Sequence, residues 1–332
     1  MAESTNLSGI AASLRSPRTW VGIVLLGVLA LVPVYAHLFQ QTFYITLFTR
    51  ILIFAIAALG LNLILGYGAM VSFGHALYIG IGAYAVGILS FHGVTNGWLH
   101  LVAALAAGAV VALVVGWVCL RTEGVAFIMI TLAFAQMFYF LSVSLKLYGG
   151  DDGLTIPARS DFGWLNLSNN TVFYYTVFAV LLAIVFVIAR VVESRFGFVL
   201  RGCKSNERRM KALGFPTLRY RLVAYVISAL ICTIAGVMLA NLTRFASPSY
   251  MQWQASGDLI VMIVLGGMGT LLGPVAGATG LLVLEEVLSE LTQHWMVILG
   301  PLIVLLVVFS SRGIYGLVDA EPRRRAGKEC TP

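Results

Sequence analysis

Apolar runs, each long enough to cross a bilayer and bounded by charged, Gly-rich or Pro-rich breaks, recur along the whole chain. A hydrocarbon core about 30 Å thick needs roughly 20 apolar residues per crossing helix. The runs predict helices over about 20–37, 43–65, 70–91, 98–120, 125–147, 172–192, 221–243, 258–271, 273–291 and 295–311. The expected fold class is all-α: a polytopic transmembrane helical bundle of about ten spans, eight to ten depending on two glycine-rich regions. Gly68, Gly74, Gly80 and Gly82 interrupt the third run, while Gly266, Gly267, Gly269, Gly273 and Pro274 separate the eighth from the ninth. Both regions are read as broken or re-entrant helices, because non-helical backbone at membrane depth must be buried in protein or line a cavity. Small residues also let helices approach closely in lipid, and close packing alone accounts for the same glycines. GYGAMVSFGHALYIGIGAY (66–84) and GGMGTLLGPVAGATG (266–280) are weakly alike, as the remnants of an internal repeat would be.

One stretch departs from this pattern. ESRFGFVLRGCKSNERRMKALGFPTLRYR (193–221) is too polar and basic to cross a membrane. Within it, Ser205 or Asn206 can cap a short helix, Met210, Ala212 and Leu213 offer apolar contacts, and Gly214 with Pro216 stops it. A surface helix from Ser205 to Leu213 is expected. Two roles are open to it: a solvated connection whose arginines meet anionic lipid head groups, or a docking helix that transmits force from a soluble partner to its flanking spans.

Composition narrows the class. Of 332 residues, 60% are hydrophobic and only 11% charged, whereas soluble domains carry about a quarter charged residues. The net charge of +7 does not mark a nucleic-acid binder, because the lysines and arginines fall between the apolar runs rather than on one soluble face. They report sidedness instead, since positive charge is retained on the cytoplasmic side. With N and C termini inside, Arg15, Arg18, Arg121, the Arg195 to Arg221 loop, Arg312, Arg323, Arg324, Arg325 and Lys328 are cytoplasmic. Lys146, Arg159 and Arg244 are left outside, beside Asp151, Asp152 and Asp161. This divides the chain into a cytoplasmic segment 1–19, a transmembrane permease domain 20–313 with its cytoplasmic loop 193–221, and a basic cytoplasmic tail 314–332. No small-residue cleavage site follows the apolar stretch from Val21 to Ala36, so the first helix is read as retained.

Candidate chemistry is sparse. Cys119, Cys203, Cys232 and Cys330 lie far apart without CxxC spacing and are read as unpaired thiols, with no metal site. His37, His75, His92, His100 and His294 are scattered singly, which disfavours a membrane enzyme. No G-x-x-x-x-G-K-[ST] phosphate loop occurs; the one Gly-Lys pair, Gly327 and Lys328, precedes Glu329. The chain is therefore not expected to hydrolyse ATP. Carboxylates at membrane depth are few: Asp258 opens the eighth span, and Glu285 and Glu286 lie within the ninth, where they line a path, approach the outer interface or pair with a neighbouring helix. A secondary transporter would carry more. The candidate substrate path is Gly66, Ser72, Gly74, His75, Gly266, Gly267, Gly269 and Pro274; His75 is alternatively a packed histidine bonded to a backbone carbonyl.

Several motifs in order resemble one family, the permease subunits of branched-chain amino acid ABC importers, in particular their M-type partner. They are GYGAMVSFGHALYIGIGAY, EGVAFIMITLAFAQMF, YGGDDGL, SRFGFVLRGCKSNERRMKALGFPTLRYRLVAYVISALICTIAGVMLA, FASPSY, VLGGMGTLLGPVAGA and FSSRGIYGL, covering about Ile51 to Gly313. Phe73, Tyr78, Cys203 and Lys204 depart from the usual pattern. The resemblance implies a non-enzymatic transport subunit of the bacterial inner membrane, carrying leucine, isoleucine and valine inward. It implies a periplasmic binding protein, a second homologous permease subunit, and two cytoplasmic ATPases that bind ATP and Mg. It also implies that Ser205, Asn206, Glu207, Arg208, Arg209, Lys211, Ala212, Leu213 and Gly214 sit in an ATPase cleft. Membrane lipid and no nucleic acid complete the expected partners, and this chain is expected to bind no cofactor. Urea or short-chain amides are the alternative substrates, because related permeases share these motifs.

Overall fold

The structure, a computed structural model, describes residues 17–38, 42–163 and 167–309. Most of segment 1–19, Arg312, the basic tail and Cys330 lie outside these described residues. Each predicted run is a helix: α1 (Pro17–Leu38), α2 (Thr42–Leu65), α3 (His75–Phe91), α4 (Gly97–Cys119), α5 (Val125–Ser144), α6 (Asn170–Glu193), α8 (Thr217–Thr243), α9 (Trp253–Gly266), α10 (Gly273–Leu291) and α11 (Trp295–Phe309). Between α6 and α8 lies α7 (Arg195–Ala212), and a two-residue antiparallel pair joins Leu154–Thr155 (β1) to Phe245–Ala246 (β2). Among the described helices, α2, α4, α5, α6 and α8 are long and apolar enough to cross a membrane.

Three expected boundaries change. The third helix starts at His75 rather than near 70, because residues 66–74 leave α2 as a turn and continue as irregular chain. The eighth begins at Trp253 and stops at Gly266, so 267–272 is not helical. At 14 residues α9 is about 21 Å long, too short to cross alone. It turns back on α10, with Gly266 against Gly273 and Gly277 against the Met262 carbonyl. The loop helix is longer than Ser205 to Leu213, since the Ser194 side chain caps it by accepting from the Gly197 N–H at 3.4 Å. The expected cap at Asn206 also forms, inside α7. There the backbone is extended (φ −161°, ψ 100°), and Asn206 Oδ1 accepts from the Arg209 N–H at 3.0 Å, restarting the helix after a kink.

The core is built around α8, on which α2, α3 and α4 pack. Glycines let the backbones meet: a Cβ on Gly82 of α3 would lie 3.1 Å from Gly236 Cα, and one on Gly108 of α4 would lie 2.6 Å from Thr233 Oγ1. Gly80 and Gly82 thus serve helix packing. By contrast α4, α5 and α6 are apolar all round yet expose large side chains such as Val110, Phe140 and Phe186, the surface expected of lipid-facing helices. The ends of α4 carry the aromatic groups that favour the membrane interface: Trp98 packs on Phe162 at one end, and Arg121 lies 3.8 Å over the Trp117 ring at the other.

Those two ends differ in charge. At the Arg121 end lie α7 and Glu123, the latter 3.8 Å from Arg221. At the Trp98 end the loop before α6 forms a hydrogen-bonded cap. Arg159 donates to the Asn241 and Leu167 carbonyls at 3.0 and 2.7 Å and lies over Phe173. His100 bonds Ser160 Oγ at 2.7 Å, and Ser160 N donates to Asn241 Oδ1 at 2.7 Å.

Candidate functional site

The break before α3 leaves backbone donors at membrane depth without helical partners. Three of them find hydroxyls. The Phe73 N–H donates to Thr131 Oγ1 of α5 at 3.3 Å, Gly74 N–H to Ser72 Oγ at 3.2 Å, and Ala76 N–H to Ser256 Oγ of α9 at 2.9 Å. His75 lies in the middle, fully buried, with Nδ1 3.0 Å from Ser72 Oγ and Nε2 3.0 Å from Ser228 Oγ of α8. Ser228 gives its own proton to the Gly60 carbonyl of α2 at 2.6 Å. Its oxygen is then left to accept from His75 Nε2–H. Tyr78 and Tyr225 pack edge-on against this ring and bond each other at 3.1 Å. His75 is thus a saturated tie between α2, α3 and α8, bonded through Ser228 to a carbonyl rather than to one directly. Gly74 is fixed by the same packing, since its Cβ would meet the Thr131 carbonyl at 2.9 Å.

The second break meets the start of the first. Gly66, just past α2, and Gly269, between α9 and α10, are so close that a Cβ on Gly66 would lie 2.6 Å from Gly269 N. Asn62, buried in the last turn of α2, spans the gap: its Oδ1 accepts from the Gly269 N–H at 3.1 Å and its Nδ2 donates to the Thr270 carbonyl at 2.9 Å. Gly267 (φ 116°) and Gly269 (φ 75°) hold a backbone that side chains with a Cβ rarely adopt. Thr270 Oγ1 completes the turn, donating to the Gly267 carbonyl and accepting from the Gly273 N–H. Pro274, in the first turn of α10, is buried, and Gly266 closes α9.

Helix α7 clasps this end of the bundle. Glu207 bonds Arg221 of α8 at 2.8 Å, Lys211 at 2.9 Å and the Thr217 hydroxyl at 3.2 Å. Partial burial pushes the Glu207 carboxyl up, but the Lys211 hydrogen bond and the Arg221 charge outweigh it, leaving it below the ordinary carboxylate range. The clasp is therefore ionised at neutral pH. Arg221 also reaches Met70 Sδ at 3.3 Å, and Lys204 donates to the Gly66 carbonyl at 2.6 Å. A cavity of about 210 Å³ opens here, lined by Ala69, Met70, Val71, Phe127, Ile128 and Arg221.

The structure brings Gly66, Gly269 and their neighbours Gly266, Gly267 and Pro274 into one region. It places Ser72, Gly74 and His75 deeper, in a closed network. On α7, Met210 is buried as expected, whereas Ala212 and Leu213 are exposed with Ser205, Asn206, Arg208, Arg209, Lys211 and Gly214. Glu207 faces inward. Asp258 is an electrostatic neighbour of Glu285 on α10 and of Arg50 on α2, and Glu286 is half-buried beside them in sequence. Cys119, Cys203 and Cys232 are free thiols. Sequence reading missed Asn62, Ser228 and Lys204. Asn62 had a signal, being the one amide side chain in the α2 run.

Packed helices with two glycine breaks and a polar surface helix at one end define a multi-pass membrane protein. The family model described as branched-chain amino acid transport system / permease component matches residues 43–308, and the chain belongs to that family. It is 26% identical over 304 residues to the high-affinity branched-chain amino acid transport system permease protein LivM of Salmonella typhimurium, covering 84% of this chain and 72% of the relative. It is 25% identical over 292 residues to the corresponding LivH of Escherichia coli K12, covering 81% and 92%. A probable LivM of Methanocaldococcus jannaschii is 22% identical over 279 residues, covering 71% and 79%. No solved structure matches.

Proposed function

We propose that this chain is the membrane path, or half of it, of an ATP-driven importer that carries leucine, isoleucine and valine inward across a bacterial inner membrane. The carrying observation is α7, a kinked helix anchored from beneath by Glu207 and presenting Arg208, Arg209 and Leu213 outward. In this proposal a cytoplasmic ATPase with ATP and Mg docks on that face, one for each of two homologous permease subunits, and a periplasmic binding protein meets the Arg159 cap. The similarity to both LivM and LivH supports a paired permease. Proteoliposomes holding the chain with its second permease, ATPases and binding protein are expected to accumulate radiolabelled leucine only with ATP. Accumulation of urea but not leucine would move the assignment to amides, and ion-driven accumulation without the ATPases would make it a secondary transporter.

Sidedness follows from the charge difference between the two ends, α7 lying inside with both termini. A cysteine replacing Asp151 is expected to react with an impermeant maleimide in intact cells, and one replacing Lys211 only after the membrane is opened. Labelling of the second site in intact cells overturns this orientation.

A further inference from the structure

The kink at Asn206 divides α7 into two pieces, 195–205 and 207–212, and each grips a different target. The second piece holds α8 through Glu207, Arg221 and Thr217. The first reaches across to the helix break through the buried Leu200, beside Gly68, and through Lys204, whose ammonium donates to the Gly66 carbonyl at 2.6 Å. That carbonyl lies just past the last turn of α2, where helical carbonyls lose their intrahelical partners and a cation is favoured. Gly66 is in turn in backbone contact with Gly269, which Asn62 ties to the same turn of α2. A displacement of Gly66 therefore cannot leave the α9–α10 turn unmoved, because backbone atoms meet there with no side chain to give way.

We infer that Lys204 is the positioning residue through which docking on α7 reaches both helix breaks: it fixes the Gly66 carbonyl to the first piece of α7, while Glu207 fixes the second piece to α8. Movement of α7 then shifts Gly66 and Gly269 relative to the central helix. This rests on α7 being the docking helix. Had Lys204 served only to cap α2, its loss would weaken the protein slightly and leave the ratio of transport to hydrolysis unchanged.

The test uses the whole importer, purified through a tag on this chain with its partner subunits and reconstituted into vesicles, with Lys204→Met, Lys204→Gln and Lys204→Arg. Methionine keeps most of the stem and removes the donor; arginine keeps a charged donor of similar reach. Lys204→Met is expected to retain its ATPase subunits and hydrolysis rate, but to move about tenfold less leucine per ATP, the scale of one hydrogen bond from a charged group. Lys204→Arg is expected to recover most of that ratio and Lys204→Gln little. The ratio does not depend on how much protein is inserted, so a reduced membrane level of one variant does not obscure it. An unchanged ratio in Lys204→Met overturns the inference, as does loss of the ATPase subunits from that variant, which would place Lys204 in the docking face itself. Failure of the wild-type chain to hold any ATPase subunit would instead remove the docking reading on which the inference rests.

Discussion

Arg208→Glu combined with Arg209→Glu is expected to leave the protein in the membrane at its normal level and to abolish ATP-driven leucine uptake. Both side chains are exposed on the second piece of α7, and neither forms an ion pair within the described residues, so the fold loses no ion pair in the double variant. What changes is the surface offered to a soluble partner, where two cations become two anions. Interface arginines that act as anchors cost about 2 kcal/mol or more when lost, roughly thirtyfold in affinity, and reversal adds repulsion to that loss. Uptake in cells, with the amount of ATPase subunit retained by the tagged chain as the second readout, checks the prediction. If α7 were only a lipid-facing connection, uptake at equal expression would stay near normal and the docking role would fall.

The second large effect is expected at the α9–α10 turn, where Gly267→Leu and Gly269→Leu should each abolish or nearly abolish transport. A left-handed backbone costs an L-residue about 1–2 kcal/mol. At Gly269 the new Cβ would also press on the Gly66 carbonyl at 3.2 Å, and overpacking costs a further 1–3 kcal/mol or so. The matching control is a leucine on a surface that lipid accepts in any apolar shape. Val180 looks suitable from sequence, but it is half-buried against the core; Val187, further along α6, is exposed and should tolerate the change. Membrane level and leucine uptake for the three variants decide the matter, and normal uptake in both glycine variants would show that the turn tolerates side chains and lies outside any moving part.

The sequence made the apolar helices legible because lipid imposes a minimum length that nothing else in the composition imitates. It made the two breaks legible as regions, since clustered glycines at membrane depth have few uses, but not their edges. Ser72, Gly74 and His75 illustrate the limit. Their neighbourhood was readable, yet the hydroxyls that serve this break, Ser228 at His75, Thr131 at Phe73 and Ser256 at Ala76, come from other helices, and periodicity does not say which of many buried hydroxyls faces a given backbone N–H. Gly80 and Gly82 belonged to the same motif and proved to be packing residues. On α7 the cap at Asn206 was readable from local chemistry, whereas the helix start at Ser194 was hidden by glycines in its first turns. Lys204 stood out in sequence only as a departure from the family pattern, which gives it no task; the position of the Gly66 carbonyl does.

Helix α8 runs 27 residues, about 40 Å, without a proline. Its first turns hold the Glu207 clasp, its middle holds His75 through Ser228, and its last turns offer Asn241 to the opposite cap. One stiff rod therefore joins the two faces of the membrane. A hydrogen-bonded helix stretches little, so a disturbance at one face would be passed to the other by tilt, rotation or bending of this helix. The helices free to accommodate such a swing are those that touch lipid on most of their surface, because hydrocarbon chains refill the space a moving helix leaves behind.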